Sequence, residues 1–470
     1  AGRFGFRPAC RPPVQGEGGR MKAQYLSEIM DDLGVSKFTV KVLVVVGVAM
    51  AFDGFDYMIV SYTMPQIAAE WGLDSVQMGG LSSWSLLGLV IGGSLSGIVA
   101  DHVGRKKTLI GSTVLYSLLS VLTFFSTGYG MFAVCRVLTG AGLGACIPMA
   151  NTINSEYAPT KVRGLFVALG MAFMILGQIL AGVFAVFVVP VFGWRVSYLL
   201  GGIPVFYAVA IHFVLPESAL WLVVKNRKDE AIAIVASMER SAGIVPRDWR
   251  PDDILVPPPA PTGGVKGLFS RPYVFATVGL WVNAFFIAAV MYGINAWTPS
   301  MLLIAGFDVS SSYGFTIAQN FAALVATCLA GMMIERTGRI KGAFFAFALA
   351  ILSCVAMSFA LGAGHAAIFA GCVFLGFSVN FAITCPKSLT PELFPTEFRG
   401  TAIAFTAAVG RVGGFCAPLA FGVAVGAEMS FGQLMLLLVV PLALAVLALA
   451  PCVRKETKGI SLEELHGAAK

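Results

Sequence analysis

Charge is what this sequence has least of. Only 12% of its 470 residues are Asp, Glu, Lys or Arg, about half the share of a soluble domain. Hydrophobic residues make up 57%, and the mean hydropathy is +0.83. A soluble enzyme of this length needs no such excess, so the class that remains is a polytopic membrane protein. Histidine is almost missing, with 4 residues. No G-x-S-x-G, phosphate loop or metal-ligand cluster is present, so the chain reads as no enzyme, with no cofactor and no metal. The 9 cysteines include no CxxC pair. Cys135, Cys146, Cys328, Cys354, Cys372 and Cys416 lie in apolar runs, as small hydrophobes. No cleavable signal is expected from residues 1–20, which are rich in Gly, Pro and Arg without an apolar stretch. That stretch reads as disordered, and Met21 reads as a natural start.

What is present is a series of apolar segments. Spans are expected at about 39–64, 77–100, 107–127, 130–153, 164–189, 195–215, 273–299, 311–333, 342–361, 365–388, 400–425 and 431–451. One long polar segment, 216–271, separates the sixth from the seventh. It holds PESALWLVVKNRKDEA (216–231), which reads as one short amphipathic helix, and a proline-rich linker from Pro257 to Pro261. The chain therefore divides into a disordered, cytoplasmic segment 1–37, a six-helix bundle 38–215, a linker 216–271, a second bundle 272–452 and a tail 453–470. The expected fold is an all-α membrane protein with twelve transmembrane helices in two pseudo-symmetric halves.

Of the 32 Lys and Arg residues, Arg136 and Arg411 fall well inside spans, and Arg195 starts the sixth. The others fall on one side: the N-terminus, loops 2–3, 4–5, 6–7, 8–9 and 10–11, and the C-terminus. By the positive-inside rule both termini are cytoplasmic, in a bacterial-type inner membrane. The net charge of +7 is thus a topology signal and calls for no nucleic-acid partner. The halves also repeat each other. Gly97-xxx-Asp101-His102-x-Gly104-Arg105-Lys106-Lys107 matches Gly331-xxx-Glu335-Arg336-x-Gly338-Arg339-x-Lys341, and Glu156-YAPTKV-Arg163-Gly164 matches Glu392-LFPTEF-Arg399-Gly400. Two duplicated motifs at nearly one offset point to parallel repeats of six spans.

On these residues the chain resembles the major facilitator superfamily over essentially all of 38–465. The loop GxxxDxxGRKK is similar to that family's signature, with His102 where Arg or Lys is usual. Arg136-VLT-Gly140-AGL-Gly144 fits its fourth-span pattern RxxxGxxxG. PESALWLVVKNR and ETKGISLEEL (456–465) look like the metabolite-uptake branches. Within those, Asp53-Gly54-Phe55-Asp56, Leu138 to Gly144 and Gly410-Arg411-Val412-Gly413-Gly414 resemble the aromatic acid:proton symporters of the 4-hydroxybenzoate type. The resemblance implies uptake of a small aromatic carboxylic acid with a proton as coupling ion. The implied partners are that acid, protons and the lipid bilayer, for a monomeric carrier.

Four charges lie inside apolar runs: Asp53, Asp56, Arg136 and Arg411. Each costs roughly 2.5–3.5 kcal/mol near the bilayer centre, and together they sum to zero, which points to a shared central cavity. At the repeat offset Arg136 meets Cys372 and Arg411 meets Ile175, so the fold demands neither arginine. Opposite the Asp53–Asp56 stretch the seventh span offers Tyr292-Gly293-Ile294-Asn295. Two acids three apart share one helix face, where one of them carries the proton. An arginine fork suits a substrate carboxylate; which arginine serves stays open. Tyr57, Tyr292 and Trp297 are candidates for stacking on a ring, among aromatics that include Phe55 and Phe321. Gln319, Asn320, Asn380 and Asn295 are candidates for a ring hydroxyl, or for bonds across helices. Asp101, Arg105, Glu156, Arg163, Glu335, Arg339, Glu392 and Arg399 read as gating pairs that hold the outward-open state.

Rival substrates fit less well. Gly293-Ile294-Asn295-Ala296 is sugar-porter-like, but a sugar does not need two arginines. Export of drugs or cations would favour acids without arginines. A nutrient sensor would need a signalling extension. Muconate, nicotinate or a similar acid is the serious alternative.

Overall fold

The computed structural model describes residues 23–256, 264–395 and 397–450. Among these, twelve helices are long and apolar enough to cross a membrane. They are α1 (Lys37–Trp71), α2 (Ser75–Val103), α3 (Arg105–Phe124), α4 (Tyr129–Tyr157), α5 (Arg163–Phe192), α6 (Arg195–Val214), α7 (Val274–Ile304), α8 (Val309–Thr337), α9 (Arg339–Ala360), α10 (His365–Thr384), α11 (Arg399–Gly426) and α12 (Phe431–Leu449). The described residues contain no strand, only an isolated bridge between Gln24 and Ile254. The expected all-helical fold is what forms.

Several helices outrun their apolar runs because polar residues cap them. Ser36 Oγ accepts the Thr39 N–H at the start of α1, and Asp74 Oδ1 accepts the Gln77 N–H at the start of α2. Inside each half, glycine lets backbones touch. Gly88 and Gly92 of α2 interlock with Gly140 and Gly144 of α4, and a Cβ on any of them would collide with a backbone carbonyl opposite. The RxxxGxxxG glycines are therefore a packing seam, and only its arginine is left for chemistry. Gly54 does the same between α1 and α5, against the Met174 carbonyl.

The helix ends define two faces. The basic face carries loops 2–3, 4–5, 8–9 and 10–11 together with the start of α1. Bonds that join the halves lie from mid-depth to the opposite face. Tyr313 donates to the Tyr62 carbonyl, Ser83 Oγ donates to the Phe415 carbonyl at 2.8 Å, and the Trp84 and Phe415 rings meet. A Cβ on Gly79 or Gly422 would strike the backbone of α11 or α2 respectively. On that side the two halves are in close contact.

On the basic face, Gly104 sits at φ +107°, a conformation that L side chains rarely adopt, and a Cβ there would strike the Glu217 carboxylate. Glu217 Oε1 accepts the backbone N–H of Lys106 (2.9 Å) and of Ser218 (3.0 Å), and Tyr157 donates to its carbonyl. Trp221 Nε1 donates to the Asp101 carbonyl at 3.1 Å. The linker is thereby pinned to the N-terminal half. Two expectations change here. The stretch 216–231 is not one helix but the start of two, Ala219–Val224 and Lys228–Ser241, parted at Asn226 with φ +59°. Ser218 caps the first, and left-handed Asn226 ends its course. The segment 1–37 also contains an ordered helix, Leu26–Leu33, because its Leu26, Ile29, Met30 and Leu33 bury one face against the linker and the bundle. Residues 1–20, Pro257 to Pro261 and the tail 453–470 lie outside the described residues.

Candidate functional site

The four interior charges separate into two unlike sets. Asp56 is 2% exposed and Arg136 is 0% exposed. Arg136 Nη2 lies 2.9 Å from Asp56 Oδ2, and Ser120 Oγ donates to Asp56 Oδ1 at 2.8 Å. Arg136 Nε donates to Ser85 Oγ at 2.8 Å, and its guanidinium lies 5.7 Å from the centre of the Tyr198 ring. The Tyr198 and Thr63 hydroxyls share a 2.9 Å bond. α1, α2, α3, α4 and α6 all contribute, so this ion pair is sealed inside the N-terminal half. A buried pair of this kind needs its remaining donors and acceptors occupied; Ser85 and Ser120 occupy two of them, while Arg136 Nη1 has no hydrogen-bond partner among the described residues.

The other set is open. Asp53 is 1% exposed, and neither oxygen has a hydrogen-bond partner among the described residues. Asp56, Arg411, Tyr116, Cys146 and Tyr292 act on it electrostatically. Arg411 is half-buried on α11 and makes no side-chain hydrogen bond or ion pair among the described residues. Its guanidinium rests on Gly93 of α2, where a Cβ would collide with it. Arg411 thus reaches from the C-terminal half across the interface, at mid-depth, near Asp53.

Aromatic rings flank this point. Tyr57 and Tyr292 meet edge to face, 5.7 Å between centroids, and join the halves. Tyr292 packs on Gly414 of α11. Gln319 Nε2 donates to Asn295 Oδ1 at 3.4 Å, and Asn320 is buried beside Tyr62. Three candidates sit elsewhere. Trp297 is fully buried and donates to the Pro418 carbonyl at 2.9 Å, tying α7 to α11. Asn380 donates to the Gly376 carbonyl of its own helix at 3.0 Å. Phe321 is exposed on the outer surface of α8.

The paired charges of the basic face form two clusters, each within its own half. Arg105 Nη1 lies 3.1 Å from Asp101 Oδ1 and its Nε lies 3.8 Å from Glu156 Oε1. In the other half, Arg339 Nε lies 2.8 Å from Glu392 Oε1, and Arg399 Nε donates to the Phe394 carbonyl at 3.2 Å. Arg163 is half-buried at the start of α5. Glu335 is on α8, and its side chain lies outside the described residues.

Sequence reasoning missed Ser85, Ser120, Tyr198 and Gly93. The signal for Ser120 was faint: α3 carries Ser112, Ser117 and Ser120, an unusual density of hydroxyls for a span. Nothing in the sequence reports which helix face meets which.

Comparison with known proteins agrees with this architecture. The Major Facilitator Superfamily profile matches residues 46–418 and 312–465. A niacin transporter of Acinetobacter baylyi is 32% identical over 441 residues, covering 93% of this chain and 98% of that protein. A 4-hydroxybenzoate transporter of Pseudomonas aeruginosa is 30% identical over 402 residues, covering 84% and 88%. Among solved structures, the inward-open xylose transporter from E. coli aligns with a TM-score of 0.72 at 20% identity, covering 92% of this chain and 99% of that one. At that identity the likeness concerns the fold alone.

Proposed function

The chain belongs to the Major Facilitator Superfamily, and on that basis we propose that it takes up a small aromatic carboxylic acid of the 4-hydroxybenzoate type together with a proton. The observation that carries this reading is a cation, Arg411, reaching across the interface beside a buried acid, Asp53, neither of them with a hydrogen-bond partner among the described residues. The aromatic-acid and niacin relatives support the substrate class.

The coupling follows from competition for one guanidinium. An ionised Asp53 and a substrate carboxylate both draw on Arg411. Substrate binds best when Asp53 is protonated, and by reciprocity Asp53 holds its proton best when substrate is bound. The two therefore travel together, which is symport. Arg411 offers the fork that a carboxylate accepts at two points. Tyr57 and Tyr292 flank the aromatic ring, while Gln319, Asn295 and Asn320 offer amides to its substituent. Arg136 is then no substrate ligand. It is paired with Asp56, so of the two acids Asp53, with no hydrogen-bond partner among the described residues, is the one left to carry the proton.

The basic face is the cytoplasmic one by the positive-inside rule. The arrangement described, closed on the opposite side, is the inward-facing stage of rocking around a midplane site. The gating pairs would lock the basic face when the halves swing the other way. The carrier works as a monomer in a bacterial-type inner membrane.

Uptake of labelled 4-hydroxybenzoate into proteoliposomes tests this. An inward proton gradient should drive accumulation, and a protonophore should abolish it. Unchanged uptake with the protonophore ends the symport reading. A pyridine carboxylate is the second reading, favoured by the niacin relative. Thermal-shift titration with benzoates, nicotinate, muconate and sugars separates the two: the ligand that stabilises most at equal concentration is the substrate class.

A further inference from the structure

The N-terminal half buries more polar groups than this coupling uses. Neither oxygen of Asp53, the hydroxyl of Tyr116, nor either amide atom of Asn154 has a hydrogen-bond partner among the described residues, and all three side chains are buried. Asn151 Oδ1 and Glu156 Oε2 extend the series. Folded proteins rarely leave buried polar atoms unbonded, and where no protein group serves, water is the usual partner.

These groups lie at successive depths between Asp53 and the basic face. Tyr116 on α3 lies within electrostatic range of Asp53, Asp56 and of Cys146 on α4. Met50 stands one turn before Asp53 on the same face of α1, toward the basic face. Met50 Sδ and Asn154 Nδ2 converge above Gly170 of α5, 3.2 Å and 2.9 Å from where its Cβ would stand. Asn154 is therefore about one helical turn from Asp53 in depth. Asn151 lies one turn before Asn154 on α4. Two residues beyond Asn154, Glu156 reaches the basic face, 3.8 Å from Arg105.

We propose that Asp53, Tyr116, Asn151, Asn154 and Glu156 order a file of water through the N-terminal half, by which the proton leaves for the basic face, apart from the substrate's route between the halves. This rests on Asp53 being the proton carrier. The proton departs Asp53, leaving a carboxylate that faces Arg411. Each water along the file accepts one proton and passes on another. Tyr116 and Asn154 keep their own protons and orient the waters. Glu156 accepts the last proton and yields it to bulk water. The groups facing Asp53 are Asp56 on its own helix, Tyr116, Cys146, Tyr292 and Arg411.

Infrared spectroscopy of the purified full chain, without substrate, tests the file. The protonated carboxyl band that Asp53→Asn removes reports that residue. After transfer to deuterated buffer its isotopic shift should be slowed about tenfold or more in Asn154→Leu, and be near the unaltered rate in Asn154→Ser. An unaltered rate in Asn154→Leu overturns the file, and so does equal slowing in both variants. Absence of any band assignable to Asp53 overturns the choice of carrier instead. In proteoliposomes, gradient-driven uptake by Asn154→Leu should fall about tenfold, while exchange of internal for external substrate stays within about twofold. Equal loss of both would make Asn154 a structural residue only.

Discussion

The two halves share one scaffold and differ in what they bury. In the first, Gly140 meets the Ser85 carbonyl and Gly177 meets that of Ala51; in the second, Gly376 meets the Gln319 carbonyl and Gly413 that of Phe285. Every one of these contacts recurs at an offset of 234 or 236, the offset of the duplicated loop motifs. The chemistry does not recur. Arg136 becomes Cys372, and by this contact register Asp53 and Asp56 match Ile287 and Val290. The stretch from Tyr292 to Asn295 therefore does not stand where the sequence reading put it, opposite the two acids. It lies about one turn nearer the closed side. In the second half a buried 2.7 Å bond joins Ser353 and Ser378. Backbone contact was conserved between the repeats of this molecule, and charge was concentrated in one of them. Under the proposed function, one half handles the proton and the other contributes the anion clamp.

That division can be broken from the strongest effect downward. Arg136→Leu should be the most damaging change, because it strands Asp56 in a dry interior. The expected loss is about 3–5 kcal/mol of stability, read as a lowered denaturation midpoint, with transport abolished. Adding Asp56→Leu should restore much of that stability and none of the transport. A double variant no more stable than the single one would show that the pair does not act alone.

Arg411→Lys should leave stability nearly untouched, since Arg411 has no partner to lose among the described residues. Substrate affinity should fall by about 1.5–3 kcal/mol, the range for hydrogen bonds to charged groups, measured by titration. Normal affinity removes Arg411 from the site. Gly88→Ala drives a methyl into the Val137 carbonyl, and overpacking of this kind costs about 1–3 kcal/mol. Its effect should appear in unfolding, with substrate affinity unchanged in the folded fraction. The smallest effect is expected from Tyr57→Leu, which keeps an apolar side chain in place and removes one edge-to-face contact worth roughly 0.5–1.5 kcal/mol. It loosens the joint between halves and should weaken binding of ring substrates while sparing a non-aromatic acid.

Much of this architecture was legible because a bilayer makes apolar length a direct readout of span number. All twelve helices overlap their apolar runs, and the early starts of two of them trace to caps, Ser36 and Asp74, which lie outside the hydrophobic stretch. The interior charges were legible for the opposite reason, since a charge in an apolar run stands out. Their pairing was not. Whether Arg136 or Arg411 meets an acid depends on the rotation of α4 and α11 about their axes, which glycine seams set and composition does not reveal. Trp297 illustrates the same limit. Its neighbour Asn295 suggested a ligand-facing ring, yet the Pro418 carbonyl takes its donor. The helix Leu26–Leu33 was missed because eight residues with four apolar positions fall far short of a span, and tertiary contact with the linker supplies the order.

The pinned linker also has a mechanical meaning. Gln24 clasps the linker as far as Leu255 to the N-terminal half. The next helix, Gly264–Leu268, already belongs to the other half, since the Leu268 carbonyl accepts from Thr277 and Gly267 abuts Phe398. Nine peptide steps separate Leu255 from Gly264, a tether that reaches at most about 30 Å when fully drawn out. Leu255 and Gly264 can therefore never lie farther apart than that length, which bounds how far the point where the linker leaves the first half can stand from the point where it enters the second.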